Sequence, residues 1–241
     1  MNRRRSEKQS DSARSNTGRQ RVRIVAGQWR GRLIDFPDRP GLRPTTDRSR
    51  ETLFNWLQPT IRGAVCLDLF AGSGVLGFEA ASRGAAQVHL FENDAVTAEN
   101  LELQKTRLSP SVNQQQPSDA ADSCLASAIS VHNADVMQIL NEGPGQGLPA
   151  ADIVFVDPPF AAALQTTVLL ALQSGGWLKK GACVYLEAPG ANLADLLPAV
   201  LPDGESEHWQ IQREKRAGGV TYGLATLVCR DGDGHATVGS R

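Results

Sequence analysis

The chain has few aromatic residues, few cysteines and no long apolar run. Aromatics make up 5% of its 241 residues, so each one near a candidate site carries weight. No apolar stretch approaches the roughly 18–20 residues that a membrane-spanning helix needs, and no membrane role is expected. Four cysteines, Cys66, Cys124, Cys183 and Cys229, lie far apart with no C-x-x-C pair, which argues against a metal ribbon or a disulfide framework. Cys66 and Cys183 sit in apolar runs and read as core residues. A reducing, cytoplasmic setting fits this usage. The four histidines (His89, His132, His208, His235) show no ligand spacing, so no metal is expected. His89 and His132 fall in strand-like runs and read as structural. Residues 1–21 are basic but lack the apolar stretch of a signal peptide and read as a disordered tail.

Apolar residues reach 41%, enough for one α/β domain with an appendage. The net charge of −1 hides an asymmetry. Residues 1–50 hold 14 Lys or Arg against 5 Asp or Glu, and the remainder holds 11 against 21. A basic end on an acidic body suits a docked anionic polymer. For the tail alone, a solubilising role is an equal reading. Arg30, Arg32, Arg43, Arg48 and Arg50, with Thr45 beside them, lie in patterned sequence and are candidate nucleic-acid contacts.

VRIVAGQWRGRLIDF (22–36) has two β-prone runs around a Gly-containing turn, which predicts a hairpin. Trp29 within it can stack on a nucleic-acid base or pack the hairpin against the body, and packing is favoured. RETLFNWLQ (50–58) spaces Leu53, Phe54 and Leu57 as a helix, with Thr46, Asp47 or Ser49 available as N-cap. From residue 64 strands alternate with helices: AVCLDLF, QVHLFEN, AISVHNAD, ADIVFVDPPF and GACVYLEAPG are the strands. Two alternating runs near the end can close the sheet as an antiparallel hairpin. The expected fold class is therefore α/β, doubly wound, with ligands at the C-terminal ends of the strands. The divisions are a tail (1–21), a hairpin and helix (22–63) expected to contact nucleic acid, an α/β domain (64–230) with a flexible insertion (109–127), and a C-terminal tail (231–241).

DLFAGSGVLG (68–77) fits G-x-G-x-x-G, the turn that cradles a dinucleotide pyrophosphate. Asp68 contradicts that ligand, because a carboxylate at the strand end repels two phosphates at the helix N-terminus. S-adenosylmethionine carries a sulfonium and an ammonium instead, so an acid nearby is favourable. The loop's N–H groups can then face its carboxylate. Phe70, Gly72, Ser73 and Gly74 complete this candidate cofactor loop. Glu92, ending the second strand, is a candidate partner for a ribose.

DPPF (Asp157, Pro158, Pro159, Phe160) ends the fourth strand. The two prolines fix φ and remove N–H donors, so the turn is stiff and presents carbonyls. The Asp157 carboxylate and the Pro158 carbonyl can hold both hydrogens of an exocyclic amine and steer its lone pair toward a methyl group. Phe160 offers a ring for a flipped base.

RIVAGQWRGRLIDF, GLRPTTDRSRETLFNWL, CLDLFAGSGVLGFEAASRGA, DIVFVDPPF and REKRAGGVTYGL together resemble the RsmD family of bacterial 16S ribosomal RNA (guanine-N2)-methyltransferases. The resemblance implies a Rossmann-like, seven-stranded class I methyltransferase fold with a small N-terminal extension. It implies S-adenosylmethionine as donor, S-adenosylhomocysteine as product, and one guanine of 16S rRNA as acceptor. A small subunit or an assembly intermediate is the expected setting of that RNA, and a monomer the expected state of the chain. It further implies donor contacts at Asp68, Gly72, Gly74 and Glu92. Asp135 is similar to the family's acid at the adenine amino group, and a helix N-cap is an equal reading. Gly219 stands where many relatives carry Gln. DPPF alone also suits a DNA adenine-N6 methyltransferase. The glycines alone suit a nicotinamide enzyme, and a vestigial RNA-binding body is a further alternative.

Overall fold

In the computed structural model the described residues are 19–38, 46–108, 128–145, 147–159, 163–190, 192–198 and 207–229. Phe160, Arg43, Thr45, the insertion 109–127, the C-terminal tail and most of the basic tail lie outside them.

The hairpin forms from β1 (Arg19–Arg23) and β2 (Leu33–Pro37), paired antiparallel. It begins three residues before the expected boundary, so Arg19 to Arg21 belong to a strand, and Arg21 pairs with Asp35 across it. Helix α1 (Asp47–Trp56) starts at Thr46, whose hydroxyl accepts the Ser49 N–H. This is the side-chain cap that satisfies one of the first turn's orphan donors. Then come β3 (Val65–Asp68), α2 (Val75–Ser82), β4 (Gln87–Glu92), α3 (Ala95–Leu108) and β5 (Ile129–Asn133). After these come α4 (Val136–Glu142), β6 (Ala151–Val156), α5 (Gln165–Ser174), β7 (Leu178–Pro189), β8 (Glu207–Ala217) and β9 (Val220–Cys229).

β3 to β9 build one seven-stranded sheet in the order β5-β4-β3-β6-β7-β9-β8. β3 to β7 run parallel, and the last hairpin closes the edge antiparallel. Side chains alternate between two cores. Cys66, Ile153 and Tyr185 face one, while Leu67, Val154 and Val184 face the other. Both faces are covered, which is why the strands read as continuous apolar runs rather than alternating ones. The strand order reverses between β3 and β6, and a crevice opens there at the C-terminal ends.

The N-terminal extension shares the first core. Val22, Trp29, Ile34, Phe36, Leu53 and Phe54 join Cys66 and Phe78 in one cluster. Its anchor is Glu79 of α2, fully buried, whose carboxylate accepts the N–H groups of Val25 (2.7 Å) and Ala26 (2.9 Å). Arg83 and Arg50 complete the ion cluster around that carboxylate. At Gly27, with φ +85°, an added Cβ would strike the Ser82 carbonyl, so only glycine lets the loop approach α2.

Candidate active site

A cavity of about 880 Å³ occupies the crevice, within the range of small-molecule sites. Its floor comes from the ends of β3, β4, β6 and β7, and its mouth from the start of α1 and the β8–β9 turn. Six carboxylates line it: Asp68, Glu92, Asp94, Asp135, Asp157 and Glu187. No Lys, Arg or His stands among the described lining residues. Such a field favours a cationic ligand and disfavours a pyrophosphate.

The glycine loop explains the first half of the cavity. Four of its N–H groups bond within the fold. Ala71 donates to the Phe91 carbonyl, Gly72 to Glu92, Gly74 to the Ala71 carbonyl, and Gly77 to Asp68. These four donors are therefore engaged, and the expectation that the loop's amides face the donor's carboxylate is corrected for them. The same engagement removes the anion nest a dinucleotide requires. Gly72 and Ser73 line the cavity with Phe70, but Gly74 does not. Gly74 takes φ +75° at the start of α2, where a Cβ would press on Leu101 and Phe78. Gly77 lets α2 pack on β4, since a Cβ there would overlap Leu90.

Glu92 is held from both sides, accepting from Gly72 N at 3.0 Å and Asp94 N at 2.9 Å. Asp94 in turn caps α3 through the Thr97 N–H and hydroxyl. This fixes a carboxylate at the tip of β4. Asp135 accepts the Met137 N–H at 2.8 Å as the N-cap of α4 and also lines the cavity. Both readings of this residue are thus compatible with its position.

Asp68 is nearly fully buried. Burial pushes its carboxyl up to about 7; the Gly77 N–H opposes the rise, and the Glu92 charge adds to it. A cation entering the cavity would reverse much of this. The fit to a sulfonium and ammonium donor therefore rests on the acids, not on the amides.

The second half lies beyond β6. Asp157 and Pro158 follow Val156 directly, and both line the cavity with Pro159. Leu69 N donates to Phe155 O at 3.1 Å, which ties the tip of β3 to the base of this turn. The glycine loop and the proline turn thus share one floor.

The candidate nucleic-acid residues divide. Arg30 and Arg48 are exposed, on the hairpin turn and on α1. Arg32 is half-buried and donates to the Leu108 carbonyl at the end of α3, at 2.6 Å. Arg50 is a correction. It is wholly buried, pairs with Glu79 and Asp47, and donates to the Arg23 carbonyl. Its neighbours at one helical turn face the core, so it braces the extension instead of reaching RNA. Trp29 is buried, as its packing role required. His89 and His132 stack with 3.1 Å between Nδ1 and Nε2, and His89 Nε2 is buried without a partner.

Thr46, Ser49, Asp94, Thr97, Glu187 and Tyr222 line the cavity and were not foreseen. Glu187 carried a readable signal, an acid at the end of a parallel strand. Tyr222 carried none, because it arrives from the antiparallel edge.

A family model described as "Conserved hypothetical protein 95" matches residues 22–225. "Ribosomal RNA small subunit methyltransferase D" of Escherichia coli is 41% identical over 210 residues, 87% of this chain and 92% of that one. Its namesake in Haemophilus influenzae is 38% identical, over 84% of this chain and 92% of the relative. The solved structure of yhhF from Escherichia coli superposes with a TM-score of 0.66 at 39% identity, covering 86% of this chain and 97% of that one. The seven-stranded order, the acid-lined crevice and these matches agree: the chain belongs to the RsmD family and has its class I methyltransferase fold.

Proposed function

We propose that this protein transfers a methyl group from S-adenosylmethionine to the exocyclic N2 of a guanine in small-subunit ribosomal RNA. The observation that carries the reading is the Asp157-Pro158-Pro159 turn, set on the same cavity floor as Asp68 and Glu92. The donor supplies an electrophilic methyl carbon. The acids beside the glycine loop, Asp68 and Glu92, suit its positive charge, and Glu92 and Asp135 suit its ribose and adenine. RNA as the acceptor polymer is supported by the relatives named as small-subunit ribosomal RNA methyltransferases and by exposed Arg30 and Arg48.

At the acceptor, the amine's lone pair is delocalised into the ring. The Asp157 carboxylate and the Pro158 carbonyl accept its two hydrogens and turn the lone pair toward the methyl. Because proline fixes φ, these acceptors are in place before the base arrives, which is the preorganisation that electrostatic catalysis needs. Asp157 stabilises the positive charge that develops on N2, and the surplus proton leaves to water at the open mouth. Phe160, next in the sequence, supplies a ring of the kind on which flipped bases stack.

The test is direct. Purified protein, labelled donor and small subunits lacking the modification should yield N2-methylguanosine by nucleoside mass spectrometry. N6-methyladenosine in DNA, with unmodified RNA, would establish the adenine alternative instead.

A further inference from the structure

Tyr185, Glu187 and Tyr222 form a polar group that the methyl transfer itself does not use. Tyr185 and Glu187 are two residues apart on β7, so they share a sheet face. Glu187 and Tyr222 stand directly opposite each other across β7 and β9, the spacing at which cross-strand side chains meet. The Tyr185 hydroxyl donates to Glu187 Oε1 at 2.6 Å. Burial holds the Tyr185 phenol well above its usual range, and the charges of Glu187 and Asp157 add to this, so it remains a donor and fixes the carboxylate. The Tyr222 hydroxyl is buried with no hydrogen-bond partner, although Tyr222 lines the cavity. An orphaned hydroxyl of this kind is costly unless a ligand completes it.

Position says what the ligand is. Val156 and Leu186 are register partners on the parallel strands β6 and β7. The residues that follow them are Asp157 and Glu187, so two carboxylates emerge side by side at the acceptor end. A guanine edge presents three consecutive N–H hydrogens, one on N1 and two on N2, next to the O6 acceptor. Resting on the proposed function, we infer that Glu187 and Tyr222 read the guanine edge, Glu187 accepting from N1–H and Tyr222 donating to O6, while Asp157 and Pro158 hold N2. Tyr185 is the positioning residue for Glu187. Adenine would bring a bare N1 lone pair against the Glu187 carboxylate, and this repulsion selects against it.

The test uses 2-aminopurine, which keeps the amine but lacks both N1–H and O6. Small-subunit rRNA is ligated to carry it at the nucleotide that the full-length enzyme methylates, then reassembled into particles. Wild type should prefer guanine over 2-aminopurine by at least ~100-fold in kcat/KM, as sites built around a substrate N–H do. Glu187→Gln offers an N–H to the bare N1. It should lose guanine activity yet gain on 2-aminopurine, narrowing the preference to within about 3-fold, because buried pairing governs such selection. Tyr222→Phe should lose about 5–10-fold on guanine and nothing on 2-aminopurine, in keeping with one neutral hydrogen bond. Donor affinity by calorimetry and the unfolding temperature should stay near wild type in both variants. Wild type that methylates both bases equally overturns the inference, as does a Glu187→Gln enzyme with unchanged preference. Those results would leave guanine-N2 methylation intact. Methylation of adenine instead of guanine by wild type would overturn both.

Discussion

The two halves of the cavity, the proposed donor side and the proposed acceptor side, are built by opposite means. On the donor side, loop amides and acids are tied to each other: Gly72 to Glu92, Gly77 to Asp68, Met137 to Asp135. On the acceptor side, a proline pair without N–H donors sets the shape, and the Tyr222 hydroxyl waits without a partner. The donor half is thus rigid through internal hydrogen bonds. The acceptor half is rigid through covalent restriction and leaves polar atoms for an incoming base. A diffusible cofactor and a base drawn from a folded RNA pose different problems, and the chain solves each locally.

Several substitutions sharpen or break this contrast. The largest effect is expected from Asp157→Ala, which should lower kcat by at least ~100-fold with donor affinity within about 2-fold of wild type. Labelled methyl transfer beside calorimetry reads both quantities, and comparable loss in each would erase the division between the halves. Next is Arg50→Ala, which empties a fully buried site and removes one of the two cations at the buried Glu79 carboxylate, and should destabilise the fold by about 3–5 kcal/mol in urea unfolding. Arg48→Ala, two residues away and exposed, should change stability by less than about 0.5 kcal/mol while weakening RNA binding. Third, Glu92→Gln should raise the donor Kd by about 10–100-fold, since an acceptor at charged-hydrogen-bond strength is replaced by a competing N–H. RNA affinity should not move.

The smallest effect concerns protons. Without donor, Asp68 has its carboxyl raised to about 7 from 3.8. Between those values the folded state holds a proton that the unfolded state has lost. Stability from this group is therefore highest below pH 4 and declines as pH rises to 7. His89 works in the other direction. Burial, with the neighbouring His132 adding to it, lowers it to about 4, so its contribution is present above pH 6.5 and is lost as pH falls through 4. A cationic donor should drive the Asp68 proton off. Donor binding at pH 6.5 should then release protons, measurable by calorimetry in buffers of different ionisation enthalpy, and affinity should rise from pH 6 to 8. Asp68→Asn should abolish the release, and release that persists would place the titrating group elsewhere.

Much of this was legible from the chain alone. The strand and helix rhythm from residue 64 is local, because apolar runs and glycine turns act over a few residues, and β4 falls on QVHLFEN, the run read as a strand. Asp68, Glu92 and Asp157 were singled out because an acid at a strand end is a signal within one short motif, and all three line the cavity. Arg48 and Arg50 show the limit. They are two residues apart and equally basic, yet one faces solvent and the other is sealed in the core. Only Glu79 of α2, folded against them, makes that difference.

What sequence by itself determined was the alternation of elements and the chemistry at each strand tip, since both depend on neighbouring residues. Tertiary structure decided which side chains meet: that Glu187 and Tyr222 face one another, that the loop amides turn inward, and that the N-terminal segment shares the core. Those outcomes depend on strand order and register between residues far apart in the chain, and no local propensity encodes them.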